Sequence, residues 1–517
     1  MNQINDFFLE NPLPFTYMSF PYLDDQPKPR HPTHLFYVNQ TIAELTLRFF
    51  NRSGLPHIKI ENEGKNPLSW GSWNISWGQQ FDPPEYRLCT AWQKINHFAG
   101  SFYLGRKAEL HQRMTELAQR TGQEHVDFYP LSFMTPSELP RLIKKWKDVK
   151  YWIKKPSSAA RGEGIHVVSS SESPSPLEKD DDTQYVIQEF IERPLLINGL
   201  HKFDVRLYAL VTSVAPLRIY LHECGLARIA THDYFSNSSN SIDVNDLAAM
   251  LTNVSLNRNE EGFSVSQQKI PLSQLYDILR KQGINTDLIV KDFERIVTFT
   301  IISAASKIRQ YHQSLVPHRQ TSFEMFGFDI LIDEKLKCWL MEVNISPSMS
   351  GKDAEFDRNQ KYNIMAEMYD IGRVIYCDPS SVKVSSDGQE KFVLSQNDSR
   401  TRKAVELYDD YWRDSIKSIN MKVNPTPWDW SRPIFADIVA VRDFIEEKGR
   451  LRKFKKVFPR RKNIDDCVKC FEKLGYLDRS FFTWIKMSNE ERLNALKRGE
   501  QTYLNGLKEI EQKLNHL

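Results

Sequence analysis

The stretch Phe323–Ser348, FEMFGFDILIDEKLKCWLMEVNISPS, decides the reading of this chain. Two apolar runs, Phe326–Ile332 and Cys338–Val343, flank the turn-like Asp333-Glu334-Lys335-Leu336, a β-hairpin signal. Each run carries an acid where a half-buried strand is apolar: Asp329 in the first, Glu342 in the second, with Asn344 two residues on. A two-residue loop at Glu334-Lys335 sets residue 333 against 336 and Asp329 opposite Leu340, so that Glu342 is its diagonal neighbour. Glu342 and Asn344 share a face because side chains alternate along a strand. Two carboxylates and an amide oxygen then converge on one point. Buried carboxylates need a cation or basic partners. This set suits a hard ion such as Mg2+, completed by phosphate oxygens and water. The competing reading is a solvated face on which both acids pair with nearby bases.

Working outward, two further stretches carry charge where packing alone does not ask for it. In HKFDVRLYALVT (His201–Thr212), Lys202, Asp204 and Arg206 alternate and therefore share one strand face. In YWIKKPSSAARGEGIHVV (Tyr151–Val168), a strand ends in Lys154-Lys155 and passes through a Ser/Ala/Gly loop into another strand. A strand lysine followed by such a loop can cover phosphates, with Lys155 as point charge, Arg161 as a fork, and Gly162 and Gly164 admitting the backbone. Neither GxxxxGK[ST] nor GxGxxG occurs, and a plain surface hairpin is the alternative. The strand Tyr185–Ile191 runs into a Pro-bearing hinge whose backbone suits a purine edge. Thr252 and Asn253 suit positioning, and Asn96 and His97 read as satisfied structural residues. LRIYLHECGLARIA (Leu217–Ala230) reads as a hairpin with Arg228 on its return strand.

The chain has 517 residues, 40% of them hydrophobic, and a net charge of +3, with a mean hydropathy of -0.51. This is enough for one to four domains with large cores. No apolar run approaches a membrane span. The first thirty residues lack the basic-then-apolar pattern of a signal peptide. Six scattered cysteines indicate a reducing compartment, and Cys467-x2-Cys470 has no second pair for a zinc site. KGRLRKFKKVFPRRK (Lys448–Lys462) holds nine bases and no acid. It reads as a dock for an acidic protein more than for nucleic acid, or as a basic loop that partners internal acids.

The expected organisation is a leading segment at 1–33 without clear periodicity, then an α/β lobe at 34–130 with Trp70, Trp73 and Trp77 packing between lobes. A central lobe follows at 131–190. In it a helix over Pro136–Asp148 is capped by Thr135 and Glu138, with Pro140 delaying its regular turns. A third lobe at 191–375 holds the hairpin, with helices over Leu272–Gly283, Asp287–His312 and Phe356–Ile375. A linker at 376–399 leads to a helical, basic extension at 400–517. No internal repeats occur.

Seven stretches stand in one order across roughly residues 35–375: WNISWG (Trp73–Gly78), INHFAGSFYLGRK (Ile95–Lys107), KPSSAARGEGI (Lys155–Ile165), QEFIERPLLI (Gln188–Ile197), KFDVRLYALVTS (Lys202–Ser213), LTNVSLN (Leu251–Asn257) and FGFDILID…LMEVNISPS. In this the chain resembles the tubulin–tyrosine-ligase-like family, and its SAARG loop and PLRIYL stretch resemble the polyglutamylase branch. The resemblance implies an α/β (α+β) ATP-grasp core that ligates free L-glutamate to glutamate side chains of acidic tubulin tails with ATP and Mg2+. It implies ATP-phosphate contacts from Lys107, Lys155, Arg161 and Gly162. Adenine would lie at Gln188, Glu189, Phe190 and Ile191, and Lys202, Phe203, Asp204, Thr252 and Asn253 would complete the nucleotide site. Asp329, Glu342 and Asn344 would hold Mg2+. Arg206 would stand near the transferring phosphate as the catalytic residue that stabilises the acylphosphate, Arg228 would grip the incoming amino acid's carboxylate, and Lys269 would join it. Val254 stands where the family usually has Tyr, Met250 where it has His, Ala99 where it has Pro, and Glu163 lies inside the phosphate loop. The resemblance further implies a cytoplasmic monomer on microtubules, cilium or basal body included, with no nucleic acid or membrane partner. A glycine or tyrosine ligase, and a microtubule scaffold with a decayed site, are the other readings.

Overall fold

The computed structural model describes residues 2–30, 36–38, 43–58, 73–157, 164–174, 184–235, 242–252, 268–350, 354–376, 396–420 and 430–516. Trp70, the Ser/Ala part of the SAARG loop and most of the 376–399 linker fall outside them.

Four short parallel strands open the fold: β1 (Phe36–Val38), β2 (His57–Ile58), β3 (Ile75–Trp77) and β4 (Lys94–Ile95), in the order β2-β1-β3-β4. Helix α1 (Glu44–Arg52) joins β1 to β2 and buries Leu45, Phe49 and Phe50, an α/β start to the lobe expected at 34–130. Trp73 is fully buried against Phe81, while Trp77 is half-buried and lies beside Tyr369. After β4, Asn96 bonds to both backbone groups of Gly78 at 3.2 Å, and His97 Nδ1 lies 2.8 Å from Glu324. Both are satisfied core residues. Helix α2 (Lys107–Thr121) follows.

A second sheet is antiparallel: β5 (Ser132–Thr135), β6 (Tyr151–Pro156), β7 (His166–Ser169) and β8 (Tyr185–Glu189), in the order β5-β8-β6-β7. Its own core stacks Trp146 on Trp152 with Phe133, Leu142 and Ile187. The expected capped helix at Pro136 does not form. Thr135 ends β5, and Glu138 spends its carboxylate on Met134 N at 2.8 Å and on His111. The regular helix therefore spans Leu139–Lys145, with Pro140 in its first turn.

The large third sheet runs β11-β10-β9-β12-β13, from strands β9 (His201–Val214), β10 (Leu217–Ile229), β11 (Lys269–Pro271), β12 (Glu324–Ile332) and β13 (Cys338–Asn344). The hairpin expected within Leu217–Ala230 is instead one continuous strand, β10, paired along β9. Gly225 sits inside it because a Cβ there would come within 2.6 Å of Arg206 O. Odd residues of β9 (Val205, Leu207, Ala209, Val211) enter the main core. That core also holds the 30-residue helix α4 (Thr286–Leu315), which follows helix α3 (Leu272–Lys281). Even residues face the other way. Tyr208 and Leu210 join the packing around helix α5 (Glu355–Gly372), which leaves Lys202, Asp204 and Arg206 at the strand's start on that same face.

The β12–β13 hairpin forms as expected but in another register. Leu336 has φ 65 and Asp333 N bonds to Lys337 O at 2.9 Å, so the loop holds three residues rather than two. That moves the ladder by one, setting Ile330 against Leu340, and a bulge then sets Asp329 directly against Glu342. The two acids are partners, not diagonal neighbours.

Helices α6 (Gln396–Asn420), α7 (Phe435–Lys448), α8 (Tyr476–Lys486) and α9 (Asn489–Asn515) make up most of the extension. It is less separate than the sequence reading holds: Phe435, Val439, Phe481 and Leu496 share one core with β9 and α4. The basic run is no loop. Phe454–Phe458 forms strand β14 on β10, with Lys455 on Glu223 at 3.0 Å, Arg452 on Asp370 at 3.2 Å and Arg460 on Glu294 at 2.5 Å. The leading segment also holds a helix, Asn2–Glu10, which packs Phe7 and Phe8 against Tyr503. Among the described residues no helix is long and apolar enough to cross a membrane.

Candidate active site

Pairing lines up charge across the third sheet. Lys269, Arg228 and Asp204 stand abreast on β11, β10 and β9, while Arg206, Asp329 and Glu342 stand abreast on β9, β12 and β13. Directly opposed residues share a face, so all six lie on the side that β9 leaves charged. Arg206 grips Asp329 with Nε and Nη2, the latter 2.9 Å from Oδ2. Arg228 forks onto Asp204 at 2.7 and 2.5 Å and reaches Asp329 at 2.8 Å. Thr252 Oγ1 donates to Asp204 at 2.7 Å.

Burial opposes ionisation of Asp329, but Arg206 and Arg228 outweigh it and hold its carboxyl well below the usual range. Glu342 goes the other way: burial, then the charge of Asp329 opposite, pushes it up. Asn344 Nδ2 lies 3.2 Å from Glu342 Oε1 and 3.5 Å from Asp329 Oδ2. Two carboxylates in conflict beside a side-chain amide form a donor set that fits a hard divalent cation. Among the described residues no cluster of three or more His, Cys, Asp and Glu side chains gathers for a metal. The set here is two acids and an amide, as a cation sharing its shell with phosphates needs.

The second sheet supplies the opposite wall. Lys155 Nζ donates to Gln188 Oε1 at 2.7 Å, and Gln188 Nε2 donates to Ser132 Oγ at 2.9 Å, a relay that fixes the ammonium. Lys202 Nζ donates to Met250 O at 2.9 Å and lies 4.6 Å from the centre of the Phe190 ring. Burial pulls both ammoniums down to about 8, against the raising influence of Glu342 on Lys155 and Asp204 on Lys202. Between the walls lies a cleft. Lys107, Lys155, Lys202, Asp204, Arg228, Thr252, Asp329 and Glu342 make its polar side, and Ile153, Ile165, Phe190, Ile191, Leu331 and Met341 its apolar end.

The family profile of the tubulin-tyrosine ligase family matches residues 86–381. The chain belongs to the tubulin-tyrosine ligase family. It is 35% identical over 308 residues to tubulin monoglutamylase TTLL4 of Homo sapiens, covering 57% of this chain and 24% of that protein. It is 34% identical over 319 residues to tubulin polyglutamylase TTLL5 of Mus musculus, covering 60% and 23%. Over 434 residues it is 29% identical to tubulin polyglutamylase ttll-4 of Caenorhabditis elegans, covering 82% of this chain and 69% of the relative. The chain thus spans about a quarter of the length of the first two.

In this member of the tubulin-tyrosine ligase family, ten of the residues singled out from sequence line the cleft: Lys107, Lys155, Phe190, Ile191, Lys202, Asp204, Thr252, Arg228, Asp329 and Glu342. Arg206 and Asn344 join them through Asp329. Two side chains, Phe203 and Lys269, depart from the sequence reading. Phe203 is fully buried on the opposite face, in the main core, so its side chain does not meet the cleft. The Gln188 side chain holds Lys155 and Glu189 is half-buried, while the expectation for this hinge concerns its backbone. Lys269 stands beside Arg228 in the ladder but turns to Asp357 at 3.2 Å. Arg161, Gly162, Asn253 and Val254 lie outside the described residues. Sequence reasoning missed Ser132, Ile153, Leu331 and Met341. Only the position of Ser132 on the strand facing Gln188 would have marked it, and a sequence does not show that pairing. Cys467 and Cys470 are both buried, and burial pushes the Cys470 thiol up to about 12.

Proposed function

We propose that this chain is an ATP-grasp ligase that adds L-glutamate to glutamate side chains of acidic tubulin tails. The observation that carries the proposal is the cleft between two antiparallel sheets, with Lys155 on one wall and the Arg206–Asp329–Glu342 row on the other. Membership of the family supports the reaction class. The polyglutamylase and monoglutamylase names of its relatives support glutamate and tubulin.

The γ-carboxylate of the acceptor attacks the γ-phosphorus of ATP, the bond to the β-phosphate oxygen breaks, and ADP leaves. The amine of free glutamate then attacks the resulting acylphosphate carbonyl, phosphate departs, and the amine's proton passes to solvent or phosphate. A carboxylate is already a nucleophile at neutral pH, so the first step needs positioning and charge neutralisation rather than a strong base. Lys155 and Lys202 hold the phosphates, each primed by burial to gain from a neighbouring anion. Arg206 steadies the charge that builds on the transferring group. Arg228, with Nε and Nη2 on Asp204, carries Nη1 beyond those bonds for the amino-acid carboxylate. Asp329, Glu342 and Asn344 would hold Mg2+, which supplies charge neutralisation and in-line alignment when bound.

The relay through Gln188 and Ser132, together with the intact Asp329 and Glu342, speaks against a decayed site. The test is mass spectrometry of tubulin tails after incubation with Mg-ATP and, in parallel, glutamate, glycine or tyrosine. Added mass with glutamate alone is expected. Addition of glycine or tyrosine instead, or no addition with tubulin binding retained, overturns the proposal.

A further inference from the structure

Far from the cleft, the extension is joined to the rest of the chain by buried charge. Arg218 on β10 binds Glu447 of α7 through both Nε and Nη2 at 2.8 and 2.9 Å. Arg373, at the end of α5 with φ 58, binds Asp443 at 2.6 Å. Arg319, just beyond α4, reaches the same Asp443, and Lys94 of β4 bonds to Gln320 O. These side chains surround one small cavity with room for a single body about the size of a water molecule.

Two inventories of this cavity fail to balance. The first is charge. Among the described residues, the charged side chains that line it are Lys94, Arg218, Arg319 and Arg373 against Asp443 and Glu447. Arginine stays charged in proteins. Even with Lys94 neutral, toward which burial and then the Arg373 guanidinium drive it, three guanidiniums meet two carboxylates. Outside the lining, Asp409 accepts from the Arg319 backbone N–H at 3.3 Å but is shared with His318 and Arg413, and Glu446 pairs with Arg442.

The second inventory is hydrogen bonds. Glu447 already accepts from Thr212, Arg218 and Tyr220 and lies 3.5 Å from Arg373 Nη2. Asp443 accepts from Gln320, Arg319 and Arg373. Yet Nε of Arg319 and Nε of Arg373 are buried with no acceptor among the described residues. Donors exceed acceptors. Water brings two hydrogens that need acceptors of their own, whereas an anion only accepts.

We infer that this cavity is a binding site for a monatomic anion of the chloride class, which fastens α7 to β10, β4 and the end of α5. Phosphate and sulfate are too large for it. The anion completes the charge of the joint, and its binding to the folded state alone stabilises the chain by mass action.

The test uses the full chain. Thermal melts are compared in sodium chloride, sodium bromide, sodium gluconate and sodium sulfate at one ionic strength. Crystals grown in bromide are measured at its absorption edge. The inference expects chloride and bromide to raise the midpoint by about 2–4 °C over gluconate, saturating with concentration, while sulfate, excluded from protein surfaces, raises it without saturating. It also expects an anomalous peak between Arg319 and Arg373. In Lys94→Met, the chloride increment should shrink by at least half. Equal melts in chloride, bromide and gluconate, or an anomalous map without bromide in the cavity, overturns the inference. The two measurements on the unsubstituted chain decide it whether or not Lys94→Met folds.

Discussion

Nucleotide affinity should fall steeply with alkaline pH, and the cleft lysines set the size of the fall. In the free protein Lys155 and Lys202 titrate near 8, because burial disfavours their charged forms. Bound polyphosphate favours those forms and raises both values toward or beyond that of an ordinary lysine. At pH 7 both ammoniums are already charged and binding takes up almost no protons. At pH 9 each is roughly nine-tenths neutral, and binding must recharge it at a cost of about tenfold in affinity per lysine. Together they cost about a hundredfold, or about 2.7 kcal/mol, between pH 7 and pH 9. The stability of the free chain moves in the opposite sense. A lysine depressed in the folded state is a burden below its folded value, and the burden lifts as pH rises through 8, so the melting midpoint should climb over the same window. Isothermal titration calorimetry with a non-hydrolysable Mg-ATP analogue, in buffers of different ionisation enthalpy, measures both affinity and proton uptake. Uptake should rise from near zero at pH 7 to about two protons at pH 9. A flat affinity from pH 7 to pH 9 with no proton uptake would refute the placing of these two lysines against phosphate.

Replacing Glu342 with Gln relieves its conflict with Asp329 while removing a metal donor. The variant should melt higher than the parent yet transfer labelled glutamate about 10²–10³-fold more slowly; an active variant removes Glu342 from the chemistry. Gly327→Ala places a Cβ 3.0 Å from Pro347 Cβ and 3.2 Å from Arg206 Cδ. Displacement of Arg206 should lower kcat about 10–100-fold with KM for ATP nearly unchanged, measured as steady-state kinetics. Much of the basic run pairs internally, so tubulin docking should depend on its exposed side chains. The triple variant Lys453→Glu, Arg461→Glu and Lys462→Glu should weaken microtubule pelleting more at low salt than at high salt, with an unchanged melt. Equal pelleting at low salt removes docking from this run.

The charged half of the site was legible because alternation is a strong signal. Lys202, Asp204 and Arg206 on one face, and acids inside two apolar runs, have no packing reason to be there. The pairing that unites them was not legible. It depends on Leu336 adopting a left-handed turn that its side chain does not advertise, and on a bulge that has no composition cue. The apolar end of the cleft was silent for the opposite reason, since Ile153, Leu331 and Met341 look like any core residues. Strand β14 was hidden by its lysines: FKKVF buries Phe454, Val457 and Phe458, but nine bases among the fifteen residues 448–462 read as a surface. The helix Asn2–Glu10 was missed because its partner Tyr503 lies near the other end of the chain.

The seam between β10 and the last helices bears on how the protein is made. Arg218 and Glu447 are 229 positions apart, and the flank of β10 that β14 covers stays bare until that much more chain has left the ribosome. The bare flank runs only over Ile219–His222, but an open edge invites partners of the wrong kind. The closing of this edge therefore waits on a segment made long after the strand it covers.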